Sequence, residues 1–289
     1  MQRRDFIASA AATLAGGALA LPARAGVPAP YDWSAMPPTD SRRKFIDWMA
    51  ANRGEDPRFL GPRFDRYQWM LAVRDLFGDA NKRAFLLTPR EEFCQPANLP
   101  RAYDIDFLDI GYGVTISGPG LVGRMTSTLD VQRGDRVLEV GTGSGYQSAI
   151  LSNLTDRVYS IEIIAPLYDR TRRNYDQLIA KGYTEYSAIS TRQADGYYGW
   201  EENGPFDKII VTCGIDHIPP DLLKQLVPNG VMVIPIGPPG AQHVLKVVKQ
   251  VDGDGNVSVV RSDIYNGRII PFVPFTSLVN GKVRGTHNA

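Results

Sequence analysis

The stretch Glu139-Val140-Gly141-Thr142-Gly143-Ser144-Gly145-Tyr146 decides the fold, because it joins an apolar run to a helical pattern through a glycine-rich turn. The run at residues 137–140 predicts a short buried strand, and residues 146–154 predict a helix. Glycines at alternate positions let the backbone approach a ligand closely at the N-terminus of that helix. This arrangement indicates an α/β unit with a ligand site at its turn.

Strands and helices continue to alternate after this turn. Four further strands are predicted, at residues 158–161, around Ile189, at 208–212 and at 231–236. Helices are predicted between them, at residues 166–180 and 220–226. Because the strand runs are apolar on both faces, we expect a parallel sheet that is covered by helices on both sides.

The C-terminal part of the chain has a different pattern. Residues 244–251 and 257–262 flank the turn Asp252-Gly253-Asp254-Gly255-Asn256, which is typical of a β-hairpin. The whole pattern therefore predicts a Rossmann-like, doubly wound α/β fold. Its sheet is expected to be mostly parallel, with helices on both faces and an antiparallel C-terminal edge.

Two helical patterns precede the α/β unit. One begins at Asp40 or Ser41 and ends near Gly54, and the other carries Tyr67 and Met70 on its apolar face and ends around Gly78. Two helices alone bury too little apolar surface to fold independently. We therefore predict an N-terminal helical extension of the α/β domain.

The composition excludes several classes of protein. The 289 residues are 43% hydrophobic and 22% charged, as in globular proteins. Lys and Arg total 32 and Asp and Glu total 31, so the formal charge of +1 gives no electrostatic footprint for nucleic acid. Two cysteines, Cys94 and Cys213, are too few for a disulfide framework or a zinc site, and we predict no metal site.

The first 25 residues have the pattern of an export signal. Arg3 and Arg4, followed by Phe6, resemble the twin-arginine signal, and Ala23 and Ala25 form an A-x-A cleavage site. The apolar run at residues 6–21 is about 16 residues long, shorter than the ~20 of a spanning helix. An uncleaved amphipathic anchor is the alternative.

Cleavage would leave a chain without a stable membrane span. Because residues 1–25 carry three arginines and one aspartate, their removal changes the formal charge from +1 to −1. We expect the twin-arginine export machinery as a partner and the periplasm as the destination. The protein would be cytoplasmic if the signal is not used.

The glycine-rich turn itself has a distinctive spacing. A dinucleotide-binding turn needs its third glycine one position later, where this chain has Tyr146. The E-x-G-x-G-x-G form instead resembles motif I of class I S-adenosylmethionine-dependent methyltransferases. Glu162 ends the second strand, where its carboxylate can accept hydrogen bonds from both ribose hydroxyls. Asp195-Gly196 ends the third strand, where an acid and a small residue can meet an adenine edge. Together these features predict a nucleoside pocket.

Several further stretches are similar to the protein-L-isoaspartate O-methyltransferases. They lie at residues 89–93, 102–104, 110–119, 134–147, 205–212 and 272–276. The segment Thr115-Ile116-Ser117-Gly118-Pro119 is the specific one, because methyltransferases at large do not share it. The chain departs from the family pattern at Asp109, where proline is usual, and in its longer N-terminal part.

The resemblance implies an activity and a set of site residues. The family transfers the methyl group of S-adenosylmethionine to the α-carboxyl of isoaspartyl residues in damaged proteins and peptides, and the ester then closes to a succinimide that starts repair. Ser117 takes the position of the active-site residue. The implied cofactor contacts are Thr115, Ile116, Ser117, Glu139, Gly141, Thr142, Gly143, Ser144, Gly145, Glu162, Asp195, Gly196 and Thr276.

The domain division follows from these observations. We predict a signal peptide at residues 1–25, the helical extension at 26–85, a methyltransferase domain at 86–280 and a tail at 281–289. Two other functions remain as alternatives. One is an S-adenosylmethionine-dependent O-methyltransferase of a small carboxylic acid, and the other is a non-catalytic S-adenosylmethionine-binding protein.

Some residues allow two interpretations. Ser117 follows Gly111-Tyr112-Gly113, which predicts a flexible loop that closes over the substrate, but Ser117 can also cap the helix that follows. Tyr197, Tyr198 and Trp200 can wall an adenine or pack under the sheet edge. His217 can lie at the rim of the cleft or be an ordinary loop histidine.

Overall fold

The computed structural model describes residues 31–279 and 282–285. The predicted signal peptide lies outside these residues, as does most of the predicted tail. Within the described ranges, no helix is both long and apolar enough to span a membrane.

The described chain forms seven α-helices and eleven strands. The helices are α1 Arg42–Arg53, α2 Pro57–Ala72, α3 Asp79–Leu87, α4 Pro119–Leu129, α5 Tyr146–Ser152, α6 Ala165–Ala180 and α7 Pro220–Gln225. The strands are β1 Leu108–Gly111, β2 Val114–Ile116, β3 Val137–Val140, β4 Val158–Glu162, β5 Ile189–Gln193, β6 Phe206–Val211, β7 Leu226–Ile236, β8 His243–Val251, β9 Val257–Asp263, β10 Thr276–Val279 and β11 Lys282–Gly285.

A seven-stranded sheet forms the centre of the molecule, with strand order β5-β4-β3-β6-β7-β8-β9. The pairs from β5 to β7 are parallel, and β8 and β9 add antiparallel strands at one edge. Two apolar clusters contain residues of these central strands, one with Val137 and Ile210 and the other with Leu138 and Ile209. Alternating residues of one strand thus enter different clusters, as expected for a sheet covered on both faces. The predicted fold class is confirmed.

The first of the two predicted N-terminal helices is confirmed, and the second differs from the prediction. Helix α1 agrees, since Ser41 caps it and Gly54 ends it in a left-handed conformation. Helix α2 begins at Pro57, ten residues before Tyr67, the first residue of the predicted apolar face. It can begin there because the Asp56 side chain accepts a hydrogen bond from the Arg58 N–H and caps the first turn. It ends before Arg74, whose φ is +59°. The predicted extension of this helix to Gly78 is therefore wrong.

A buried ion-pair network joins the extension to the α/β domain. The Arg63 side chain of α2 is fully buried and pairs with Glu55 at 2.7 Å and with Glu91 at 2.9 Å. Its Nε donates to the Tyr103 hydroxyl at 2.7 Å. A buried charge that loses its partner is strongly destabilising. This network therefore fixes α2 beside the segment that leads into β1.

Candidate active site

A cavity of about 940 Å³ opens at the carboxyl ends of the central strands. Its floor is formed by the turn after β3, by the end of β4 and by Thr212 and Cys213 after β6. The chain order of the sheet reverses between β3 and β6, which is where open α/β sheets bind their ligands. Residues 112–118 and 268–276 form the opposite wall.

Ten of the thirteen predicted site residues line this cavity: Thr115, Ile116, Ser117, Gly141, Thr142, Gly143, Ser144, Glu162, Gly196 and Thr276. They come from five separate parts of the sequence, and the fold brings them to one surface. The remaining three, Glu139, Gly145 and Asp195, lie outside its lining.

The glycine-rich turn has a backbone that side chains would not tolerate. Gly141 and Gly145 have φ values of +97° and +92°. A Cβ at Gly141 would lie 2.3 Å from the Thr212 hydroxyl, and one at Gly145 would lie 2.5 Å from the Tyr175 hydroxyl. A Cβ at Gly143, whose φ is +55°, would meet nothing closer than 3.7 Å, so this residue leaves open space toward the cavity.

Hydrogen bonds from α6 and from Thr212, the residue after β6, hold the same turn in place. Thr212 Oγ1 donates to the Gly141 carbonyl at 2.7 Å, and Thr171 Oγ1 donates to the Gly143 carbonyl at 2.7 Å. The Tyr175 hydroxyl donates to the carbonyl of Gly145, which caps α5. Side chains of the protein itself therefore hold the turn in this conformation.

Glu162 is a buried carboxylate at the cavity surface. Its Oε2 accepts the Gly143 N–H at 2.8 Å, and its Oε1 accepts the Ile164 N–H at 2.9 Å. Burial raises the pKa of Glu162, and the backbone N–H groups of Ile164 and Gly143 oppose that shift. The carboxylate is thus fixed in orientation and can accept further hydrogen bonds from the cavity.

Glu139 is placed beneath the turn rather than at the cavity. Its side chain is fully buried, and its Oε2 accepts hydrogen bonds from Ser148 and, at 2.5 Å, from Ser160. Its Oε1 has no hydrogen-bond partner among the described residues. The carboxyl group thus points into the network that supports the strand end, and a direct contact of Glu139 with the cofactor stays a prediction.

Because Glu139 is buried, we expect the stability of the folded state to depend on pH. Burial raises the pKa of Glu139 from 4.5 to about 8, and the charge of Glu162 adds to the shift. The folded state then binds this proton more tightly than the unfolded state. The stabilising contribution is complete below pH 4.5 and is lost as the pH rises through 8. Denaturant titrations should show a steeper loss of stability over this range in the wild type than in Glu139→Gln. Parallel pH profiles of the two proteins would contradict the assignment.

Asp195 has a capping position outside the cavity lining. Its Oδ1 accepts the Tyr197 N–H at 2.9 Å, and its Oδ2 accepts the Ser277 hydroxyl at 2.6 Å. The neighbouring Gly196 does line the cavity, and a Cβ there would lie 2.4 Å from Val140. Asp195 therefore holds this corner of the cavity in place, and its predicted contact with the cofactor stays a prediction.

Ser117 follows β2 and lines the cavity. Its hydroxyl makes no hydrogen bond to the described part of the chain, so it is available to a ligand. Helix α4 is capped by Gly118, without a side-chain hydrogen bond. The interpretation of Ser117 as a helix cap is therefore wrong.

The loop before Ser117 is a tight turn. Gly111, Tyr112 and Gly113 all have positive φ values, of +83°, +58° and +74°, and they connect β1 to β2. Arg170 of α6 lies 5.5 Å from the centre of the Tyr112 ring and donates to the Ile110 carbonyl at 2.6 Å. The segment that the sequence presents as a flexible loop is thus an anchored hairpin in this structure.

The aromatic residues after Gly196 support packing rather than a ligand wall. Tyr197 and Trp200 pack against an apolar core cluster, and Tyr198 is exposed. None of the three lines the cavity, and neither does His217, whose Nε2 lies 2.8 Å from the Tyr197 hydroxyl. Cys213 does line it, and burial raises the pKa of its thiol, so the group is neutral.

Other lining residues were not predicted from the sequence. Arg268 is the one Lys or Arg among the described residues that line the cavity. Trp69 of the extension, Ile105 and Phe107 add aromatic and apolar side chains to the rim, next to the carboxylate of Asp106. No local motif marks these positions, because only the tertiary fold brings them to Ser117. Within the described residues, no group of three His, Cys, Asp or Glu side chains is arranged to hold a metal ion.

Comparisons with known proteins agree with this geometry. The model of the family described as protein-L-isoaspartate(D-aspartate) O-methyltransferase matches residues 74–278. Protein-L-isoaspartate O-methyltransferase 1 of Cupriavidus necator is 45% identical over 186 residues, which are 64% of this chain and 68% of that protein. The enzyme of that family name from Opitutus terrae is 40% identical over 206 residues, covering 71% of this chain and 83% of that protein.

Solved structures show the same fold. One structure named protein-L-isoaspartate O-methyltransferase has a TM-score of 0.61 and 25% identity, covering 76% of this chain and 66% of that chain. A Plasmodium falciparum protein described by the same activity, in complex with S-adenosyl-L-homocysteine, has a TM-score of 0.59 and 21% identity. The match covers 73% of this chain and 96% of the Plasmodium falciparum chain.

Proposed function

Because this chain belongs to the protein-L-isoaspartate(D-aspartate) O-methyltransferase family, we propose that it methylates isoaspartyl residues in damaged proteins and peptides. The acceptor is the α-carboxyl group, the methyl donor is S-adenosylmethionine, and the ester leads to repair through a succinimide. The observation that carries the proposal is the meeting of Ser117, Glu162 and the glycine-rich turn on one cavity.

The residues of the cavity fit S-adenosylmethionine. Gly143 leaves open space where a side chain would otherwise project, and the buried Glu162 carboxylate can accept both hydroxyls of a ribose. Gly196 and Ile116 add surface without charge at the cavity wall. Glu139 and the Ser148 and Ser160 hydroxyls support this surface from below.

The reaction places modest demands on the protein. When bound, S-adenosylmethionine supplies a methyl group activated by a sulfonium. The acceptor carboxylate is already ionised at neutral pH, so the site needs no general base. The residues of the chain have to orient the acceptor and exclude water. The free Ser117 hydroxyl can donate to the carboxylate, Arg268 provides a positive charge in the same cavity, and the buried Phe275 keeps water out.

The first experiment measures methyl transfer from labelled S-adenosylmethionine to an isoaspartyl peptide and to the same peptide with ordinary aspartate. We expect labelling of the isoaspartyl peptide alone, as base-labile methyl ester. Small carboxylic acids are included as acceptors. Preferential labelling of one of them would instead support the alternative of a small-molecule O-methyltransferase, and absence of labelling with intact cofactor binding would support a non-catalytic protein.

For the location of the protein we propose export by the twin-arginine machinery to the periplasm. The support lies in the sequence of residues 1–25, with Arg3 and Arg4 before the apolar run and a cleavage site at Ala23 and Ala25.

Replacing both Arg3 and Arg4 by lysine should leave the precursor in the cytoplasm, because a receptor for twin arginines reads more than charge. Cell fractionation with N-terminal sequencing of the exported form checks this expectation. Undiminished export of the double-lysine form would point to the general secretory route. An uncleaved N-terminus in the exported fraction would support the anchor instead.

A further inference from the structure

We propose that a second groove, next to the active-site cavity, binds an apolar flank of the polypeptide that carries the isoaspartyl residue. This inference rests on the proposed function and names a part of the substrate that the enzyme would recognise. The groove has a volume of about 620 Å³ and lies between α2 and the segment at residues 99–104.

One face of α2 forms the first wall of the groove. Arg58, Pro62, Asp65, Arg66 and Trp69 line it, at spacings that place side chains on one side of a helix. All five precede residue 74, where the family match begins. The groove is therefore built partly from the extension, and the matched family region supplies only the opposite wall.

The groove continues directly into the active-site cavity. Trp69 lines both, and the segment that follows Asp104 of the groove lines the cavity with Ile105 and Phe107. These side chains are 40%, 59% and 62% exposed, respectively. Exposed apolar side chains thus lead from the cavity to the groove, with the carboxylates of Asp104 and Asp106 between them.

This surface lies against the loop that carries Ser117. A Cβ at Gly118 would lie 2.1 Å from the carbonyl oxygen of Ile105, so the two backbones are in direct contact. A polypeptide whose carboxylate reaches Ser117 would therefore pass over residues 105–107. An extended chain advances about 3.3–3.6 Å per residue, so a few residues beyond the isoaspartyl group suffice to leave the cavity.

The charges of the groove are largely used within the protein. Asp65 pairs with Arg42 at 2.9 Å, and Asp104 pairs with Arg101 at 3.2 Å. The Arg66 guanidinium donates to the Tyr103 carbonyl at 2.6 Å and lies 4.9 Å from the Trp69 ring centre.

The remaining surface of the groove is apolar or aromatic apart from Arg58, which pairs with Asp56 at 2.6 Å. Phe59, Pro62, Leu99 and Pro100 contribute to it together with the Trp69 ring. It fits leucine, phenylalanine or similar side chains of a substrate better than charged ones, because a charged side chain would lose water without finding a free partner.

The test compares three kinds of isoaspartyl peptide. One is short, one is extended by about six residues that include leucine and phenylalanine, and one is extended by as many serines and glycines, a length of roughly 20 Å. Extensions are placed at either end in turn. In the wild type, we expect the apolar extension to raise kcat/KM about tenfold over the polar one at one of the two ends.

Trp69→Ala should bring this ratio of kcat/KM values close to one, and Leu99→Ser should lower it as well. Leu99 lines only the groove, so it serves as a second variant if Trp69→Ala folds poorly. Phe77→Ala is the matched control, since Phe77 is also an exposed aromatic residue of the N-terminal part, at 44%, and lines neither site.

The outcomes separate the two proposals. If no isoaspartyl peptide is methylated, the proposed function is wrong. If the peptides are methylated but apolar and polar extensions behave alike, the groove proposal is overturned and the function stands. The groove proposal would also be overturned if the ratio of kcat/KM for the apolar extension to that for the polar extension fell equally in Trp69→Ala and in Phe77→Ala.

Discussion

Replacement of Ser117 by alanine is expected to lower turnover on an isoaspartyl peptide about a hundredfold, while the affinity for S-adenosylhomocysteine stays nearly unchanged. The Ser117 hydroxyl lines the cavity and has no hydrogen-bond partner in the described part of the chain. It is therefore free to orient the acceptor carboxylate, and a misplaced acceptor loses the in-line approach to the methyl group. The cofactor surface at Gly143 and Glu162 does not depend on this hydroxyl.

Stability measurements separate orientation from a structural role. Helix α4 takes no cap from Ser117, so Ser117→Ala should melt within experimental error of the wild type. Had the residue been a cap, its loss would have cost about 0.5–2 kcal/mol. Ser258→Ala, at an exposed position of β9, is the matched control and should be normal in both assays. Full turnover of Ser117→Ala would remove Ser117 from the mechanism.

The parts of the fold that were predictable are those with local patterns. Strand β3, its glycine-rich turn and helix α5 follow one another within 16 residues, and each has its own periodicity or turn chemistry. The hairpin of β8 and β9 is likewise marked by its Asp-Gly turn. Such elements need no information from distant residues, because their apolar residues alone determine which face is buried.

Elements with weak local patterns were missed. Strands β1 and β2 are only four and three residues long, and their turn at residues 111–113 reads as loop because it holds two glycines. Helix α3 ends in Phe85-Leu86-Leu87, a short apolar run that does not distinguish helix from strand. Tertiary packing decides both cases.

The site residues likewise divide into those that a local motif predicts and those that only tertiary packing places. Motifs predicted most of the cavity lining, but motif membership did not show which way a side chain points. Glu139 belongs to the turn motif and yet faces the buried serines, because alternate residues of a strand point to opposite faces. Arg268 and Trp69 carry no motif, and only the packing of the C-terminal segment and the extension against α4 brings them to the cavity.

Cofactor binding should depend most strongly on Glu162. In Glu162→Ala the cavity loses the acceptor for the ribose hydroxyls, where a hydrogen bond to a charged group is worth about 1.5–3 kcal/mol. Affinity for S-adenosylhomocysteine should therefore fall roughly tenfold to a hundredfold. Titration calorimetry measures this loss, and Glu202→Ala, which removes an exposed surface carboxylate, should bind normally.

The titration of Glu162 provides an independent check of the same contact. Burial raises the pKa of this carboxyl group, so it gains a proton at a higher pH than an exposed glutamate does. The protonated group no longer accepts two hydrogen bonds as an anion, and wild-type affinity should decrease as the pH falls. Glu162→Ala has lost the titrating group, so its weaker binding should not show this decrease in affinity as the pH falls. Unchanged affinity in Glu162→Ala, or the same pH dependence in both proteins, would show that the ribose hydroxyls bind elsewhere and that Glu162 only supports the turn through the Gly143 N–H.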